Sequence, residues 1–303
     1  MYKKVFIIIL TFFSCCNAFA SKPLIVASIN PLHSIVTSIV GNTGNVSLLI
    51  ESNTSPHNFA LKPSHAKLLN NAEIFFYIDD QLESALKKTI KSLPKTVKVK
   101  KVSQFKNLKL LPVRENLNWE EDGHGHNHDH DHGSYDIHFW LDTQNAIEIA
   151  KGVTQELSKL YPENINTYKK NAKKLITKIK TKDNSIKLKL KEVKNKPYIV
   201  FHDAYQYFEK AYNLNAIGSI LLNPEQPPSP KRIIKIRSKI KTLNAYCVFK
   251  EPQFKAQIVN TVIENTNAKV GTLDPLGSNI VSGQDMYINL LDDLATNLKN
   301  CLK

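Results

Sequence analysis

Between Pro162 and Pro197 lies the longest uninterrupted helical pattern in the chain, and it limits what the rest can become. Apolar residues fall at 165, 168, 172, 175, 176, 179, 186, 190 and 193. Gaps of three, four and seven place them on one stripe of a helix, and the other positions are lysine-rich. Twelve lysines occupy 163–196 against only Glu163, Asp183 and Glu192, so this predicts a long surface helix with a solvated basic face. A helix of this length can cross a whole domain or join two, so the sequence on either side decides which.

On both sides short apolar runs alternate with helical patterns. On the N-terminal side strands are expected at 24–29, 46–50, 74–78 and 97–102. Helices are expected from Pro31 to Val40, from Ser64, from Leu82 to Ile90 and from an Asp142 N-cap to Leu160. On the C-terminal side the strands are 198–201, 216–221, 245–249 and 269–273, with helices at 203–212, 231–241, 254–265 and 286–298. Such alternation argues for parallel sheets with helical crossovers. The fold class read from the sequence is therefore α/β: two lobes, each with a parallel-type sheet flanked by helices and its own core, joined by one long rigid helix. The expected organisation is an N-terminal lobe over 21–160, a linking helix over 161–196 and a C-terminal lobe over 197–303. The two halves do not repeat in sequence.

Residues 1–20 read as a secretory signal peptide. Lys3 and Lys4 precede an apolar run from Val5 to Phe13, and Ala18-Phe19-Ala20 fits a cleavage site before Ser21. The run is too short to span a bilayer as a helix, which takes roughly 20 residues. Cys15 and Cys16 raise the alternative of a lipid-anchored form, but Phe12, Phe13 and Ser14 fit a lipobox poorly. Cleavage leaves Cys247 and Cys301, and in an oxidising compartment a lone pair of cysteines is expected to form a disulfide. The net charge is +14, or +12 without Lys3 and Lys4. No aromatic platform interleaves with the lysines and the chain is exported, so nucleic acid is not an expected partner.

In open α/β sheets ligands gather at the carboxyl ends of the strands. Reading those ends gives His57 in the loop after the second strand, His202 directly after the strand 198–201, and Asp274 directly after the strand ending at Leu273. His138 stands just before the helix that Asp142 caps. Three imidazoles point to zinc, copper or nickel, whereas a carboxylate-weighted set suits manganese. Copper(I) prefers sulfur, and the mature chain has one methionine, Met286, so zinc is the expected metal. Asp274 or a water would close the tetrahedron. His33 and His65 read as structural. A second signal is the run His124, His126, His128, His130 and His132, alternating with Gly125, Asn127, Asp129 and Asp131 inside a loop over 118–134. It cannot build a core and reads as a mobile accessory metal-binding loop. There is no His-Glu-x-x-His, no Gly-x-Ser-x-Gly and no phosphate-cradling glycine loop, so no catalytic residue is assigned and the chain does not read as an enzyme.

Several motifs carry a resemblance to a known family. They are Ala27-Ser28-Ile29-Asn30-Pro31-Leu32, Pro56-His57-Asn58-Phe59-Ala60-Leu61-Lys62-Pro63-Ser64, Asp136-Ile137-His138-Phe139-Trp140-Leu141-Asp142 and Phe201-His202-Asp203-Ala204-Tyr205-Gln206-Tyr207-Phe208. Glu251-Pro252-Gln253-Phe254 and Leu273-Asp274-Pro275-Leu276-Gly277 complete the set. Over the whole mature chain the sequence resembles the metal-binding receptors of bacterial zinc and manganese ABC transporters, on the zinc-uptake side. The resemblance implies a periplasmic, monomeric receptor that binds metal through His57, His138 and His202, with Asp274, a nearby carboxylate or water fourth. It implies delivery to an ABC permease with its ATPase. Histidine at 202 goes with zinc and glutamate there with manganese, a His-rich loop is typical of the zinc branch, and a disulfide matching Cys247 and Cys301 occurs there. Two departures stand out: Pro56 replaces an accessory glutamate, and His65 replaces an aspartate. A manganese or iron receptor, an exported zinc hydrolase and a passive zinc buffer are the rival readings.

Overall fold

The computed structural model describes residues 22–114, 135–221, 224 and 226–303. The signal segment 1–20, with Cys15 and Cys16, and the histidines 124–132 lie outside the described residues.

The N-terminal lobe is a four-stranded parallel sheet in the order β2-β1-β3-β4. Its strands are β1 (Leu24–Ala27), β2 (Asn45–Leu48), β3 (Ile74–Tyr77) and β4 (Lys98–Lys101). The C-terminal lobe repeats that order as β6-β5-β7-β8, with β5 (Tyr198–His202), β6 (Ala216–Leu221), β7 (Cys247–Lys250) and β8 (Lys269–Thr272). Every strand pairing within these two sheets is parallel. The lobes are thus topological copies although their sequences do not repeat. In each, the order reverses beside the first strand, and a crevice opens there at the carboxyl ends.

The helices are α1 (Asn30–Val40), α2 (Pro63–Asn70), α3 (Lys87–Ser92), α4 (Thr143–Leu160), α5 (Ile165–Leu190), α6 (Gln206–Tyr212), α7 (Pro230–Thr242), α8 (Gln257–Ile263) and α9 (Met286–Leu302). Proline opens α1, α2 and α7, where its missing N–H costs nothing. Asp142 caps α4 by accepting from Gln144 N at 2.7 Å, as its sequence position predicts. The long basic helix is α5, and its apolar stripe, including Tyr168, Leu175, Ile179 and Ile186, is buried. Its lysine face is less purely solvated than expected. Lys178 reaches Asp285, and Lys182 and Lys189 both reach Asp292 on α9.

The larger apolar cluster is shared between the lobes. It runs from Ile25 and Phe75 in the first sheet through Ile35, Val153 and Ile179 to Tyr198, Phe249 and Leu294. Helix α9 makes this possible: it begins beside α1, where Tyr287 N donates to Ser34 Oγ at 3.0 Å, and ends in the C-terminal lobe. There Cys301 is bonded to Cys247 on β7, so the expected disulfide is present. A separate, smaller cluster lies between the second sheet and α7 and α8, around Phe201, Ile236 and Val259. The expectation of one core per lobe gives way to a common core plus this satellite. Among the described residues no helix is long and apolar enough to cross a membrane.

Packing is tight where α4 meets the chain after β4. A Cβ on Gly152 would stand 2.2 Å from Phe105 Cδ2. Displacing that ring costs about 1–3 kcal/mol, more than the ~1 kcal/mol that alanine gains over glycine in a helix. Gly152→Ala is therefore expected to lower the thermal unfolding midpoint, and adding Phe105→Leu to recover most of the loss. A single substitution that raised the midpoint would contradict this packing.

Candidate metal centre

The predicted histidines arrive from three different local structures. His57 sits in a short 3-10 turn, Pro56–Asn58, in the loop between β2 and α2. His138 immediately precedes another such turn, Phe139–Leu141, ahead of α4. His202 is the last residue of β5, at the point where the strand order reverses between β5 and β7. The structure brings these three together, with ligand atoms all within 4.8 Å of one another. The ring centroids of His57, His138 and His202 are 5.3 to 5.7 Å apart.

Two of the rings are fixed by carboxylates. His138 Nδ1 donates to Asp136 Oδ1 at 2.8 Å, and the same oxygen accepts from His138 N at 2.9 Å. His202 Nδ1 donates to Glu251 Oε1 at 2.7 Å. With Nδ1 carrying the proton, Nε2 presents its lone pair inward. His138 Nε2 then faces His57 Nε2 at 3.4 Å, and His202 Nε2 is buried without any hydrogen-bond partner. Nitrogens bound to zinc at about 2.0–2.1 Å in a tetrahedron stand roughly 3.4 Å apart. The His57–His138 pair has that spacing, and the third ligand atom lies within 4.8 Å of both. Burial, reinforced by the two neighbouring rings, pushes His57 well below its ordinary value, so its imidazole is already neutral at neutral pH.

The space they enclose is small. The cavity measures about 10 Å³ and is walled by Pro56, Trp140, Phe254, Pro275 and Leu276. Trp140 is pinned by Nε1 donating to Pro275 O at 2.9 Å, which also ties the two sides of the cleft together. A volume of roughly 10–15 Å³ in this measure holds a single water or ion.

Asp274 is placed otherwise than expected. Its Oδ1 accepts from Gln253 Nε2, Leu276 N and Gly277 N at 2.8 to 3.0 Å. Its Oδ2 accepts from Ser278 N and Ser278 Oγ, both at 2.6 Å. It builds the turn after β8 and supports the cavity from behind through Gln253 and Leu276, which line the wall. His33 is structural, hydrogen-bonded to Val46 O and Thr37 Oγ1. His65 caps α2 by accepting from Lys62 N at 3.1 Å. The residues that sequence reasoning left without a role are Asp136 and Glu251. Glu251 follows β7 at the same sheet edge as His202, which was the available signal. Asp136 stands two residues before His138, the spacing of a side chain that turns back on the backbone.

Comparison with known proteins agrees with this geometry. The sequence profile described as zinc-uptake complex component A, periplasmic, matches residues 25–301. The chain belongs to this family. The family is one of solute-binding receptors that work with an ABC permease and ATPase, not of enzymes. Among relatives, the high-affinity zinc uptake system protein ZnuA of Brucella abortus (strain 2308) is 40% identical, over 92% of this chain and 91% of its own. The protein of that name from Yersinia pestis is 34% identical over the same shares. A crystal structure of ZnuA superposes with a TM-score of 0.80 at 24% identity, covering 93% of this chain and 100% of that one. A laminin-binding protein of Streptococcus agalactiae, described as having adhesin and metal-transporting activity, gives 0.78 at 26%, over 93% and 100%.

Two outcomes follow for this family member. An unfolded chain protonates histidine near 6.5, while folded His57 resists protonation, so below that pH the unfolded state binds more protons and stability falls. In denaturant unfolding of metal-free protein between about pH 7 and 5, wild type should lose more stability than His57→Asn; parallel losses would refute the depressed value. Glu251→Gln keeps the acceptor but removes its charge, and should weaken zinc binding by about tenfold or more in chelator competition. An unchanged affinity would show that the contact to His202 does not tune the metal.

Proposed function

We propose that this chain captures zinc outside the inner membrane and hands it to an ABC importer, with His57, His138 and His202 as the protein ligands. The observation that carries the reading is the convergence of three imidazole Nε2 atoms on a cavity of about 10 Å³, two of them oriented by carboxylates behind. A water completes the tetrahedron, and Asp274 supports the wall through Gln253 rather than binding directly. Three neutral nitrogens without a carboxylate among them favour zinc over manganese.

In this reading the mature chain starts at Ser21, is periplasmic, and acts as a monomer with lobes 21–160 and 197–303 about the linking helix 161–196. The histidines 124, 126, 128, 130 and 132 bind further ions more weakly and feed the cleft. No step breaks a covalent bond. The loaded receptor docks on the permease, which takes the metal through.

Calorimetric titration of metal-stripped mature protein with zinc and with manganese tests this directly. Wild type should bind one zinc tightly and prefer it to manganese. His202→Ala should lose that site by orders of magnitude, and deletion of 124–132 should lower only the extra stoichiometry. Tight binding indifferent to His202, or abolished by the deletion, would place the primary site elsewhere.

A further inference from the structure

His138 and His202 belong to opposite lobes, so their spacing depends on whatever joins the segments that carry them. Besides the shared core and the Trp140–Pro275 bond, the run 109–114 joins them. On its N-terminal-lobe side, Asp136 N donates to Leu111 O at 2.8 Å, two residues before His138. On its C-terminal-lobe side, Leu111 N donates to Tyr207 Oη at 2.8 Å, and Tyr207 Oη donates in turn to Asp136 O at 2.7 Å. Gln206 Nε2 donates to Pro112 O at 3.3 Å. The run ends at Arg114, whose guanidinium crosses to the other lobe. Its Nη1 donates to Asp203 Oδ1 at 3.0 Å and its Nη2 is paired with Glu209 on α6. Asp203 is the residue directly after His202. The side chains of Asp203 and Glu209 are 9% and 5% exposed, so these pairs are largely shielded from solvent.

We propose that Arg114 is a positioning residue for metal binding: by clasping Asp203 and Glu209 across the lobes it sets the separation of His202 from His138. The inference rests on the three-histidine reading of the site. It uses chemistry particular to arginine. A planar fork holds two carboxylates at once, whereas a lysine ammonium presents one point charge on a flexible stem. Losing the fork removes the two-point clasp, so the residue after His202 and α6 are no longer held at a fixed distance from the run that carries Asp136 and His138. The ligands themselves remain intact, so the consequence is a misplaced nitrogen and not a missing one.

The experiment compares wild type, Arg114→Lys and the neutral triple variant Arg114→Gln, Asp203→Asn, Glu209→Gln as full mature chains. Zinc alone is titrated against a chelator, cobalt(II) alone is read by its visible ligand-field bands, and thermal unfolding of the metal-free forms monitors the fold. The triple variant removes the unpaired buried charge, so it keeps the argument testable where the lysine variant does not fold. Folded variants should bind zinc about tenfold more weakly and show shifted, weaker cobalt bands. Folded variants with wild-type zinc affinity and an unchanged cobalt spectrum would overturn the role of Arg114. Failure of wild type itself to bind zinc, or binding indifferent to His202→Ala, would instead overturn the site on which the role rests.

Discussion

Three imidazole lone pairs that point at one another repel until a cation sits between them, and the rest of the structure is what holds them in that arrangement. His138 and His202 cannot turn away, because each gives its other ring nitrogen to a buried carboxylate. Those carboxylates cannot retreat, because Asp136 is folded back on the His138 backbone and Glu251 is rooted at the end of β7. The walls are held too: Trp140 is bonded across the cleft to Pro275, and Tyr287 Oη donates to Trp140 O at 2.7 Å from α9. Holding unfavourable contacts ready in the empty state is preorganisation, and a bound ion converts the repulsion into affinity.

The shared core gives that preorganisation its mechanical basis. Helices α1, α5 and α9 are buried together, and the Cys247–Cys301 disulfide fastens the end of α9 to the second sheet. Asp183 on α5 adds a polar staple, accepting from Thr143 Oγ1 at 3.0 Å at the start of α4 and from Tyr212 Oη at 2.9 Å at the end of α6. By contrast the lysines of α5 that reach Asp285 and Asp292 lie at the surface. Such pairs contribute about 0–1 kcal/mol each, so they orient α9 more than they stabilise it.

Much of this was legible because its signals are local. Short apolar runs placed the eight strands of the described residues, and the strand ends pointed to His57 and His202. The misreadings fall where side chains override the pattern. The helix expected from Leu82 begins as a 3-10 turn at Ser84, since Glu83 spends its carboxylate on Ile78 N and Asp79 N. The helix expected from Asp203 starts only at Gln206, because Asp203 faces Arg114. The last helix runs past 298 to Leu302, carrying Cys301 to its partner. Asp274 also occupies a strand end, and the backbone amides that follow it donate to both its oxygens. The contacts of Glu251 and Arg114 were hidden for a different reason: their partners lie 49 and 89 residues away, and although a strand end marks Glu251, no local pattern names its partner.

The smallness of the cavity reaches into the kinetics of capture. The space of about 10 Å³ between the rings is that of one water-sized body, so it does not take an ion together with its whole hydration shell. Zinc must exchange its water shell for imidazoles as it enters, ligand by ligand. His57 stands on a turn rather than in a sheet and is the least buried of the three histidines, which makes it the side of entry. At the proposed site, entry is thus coupled to dehydration, an exchange of oxygen ligands for nitrogen.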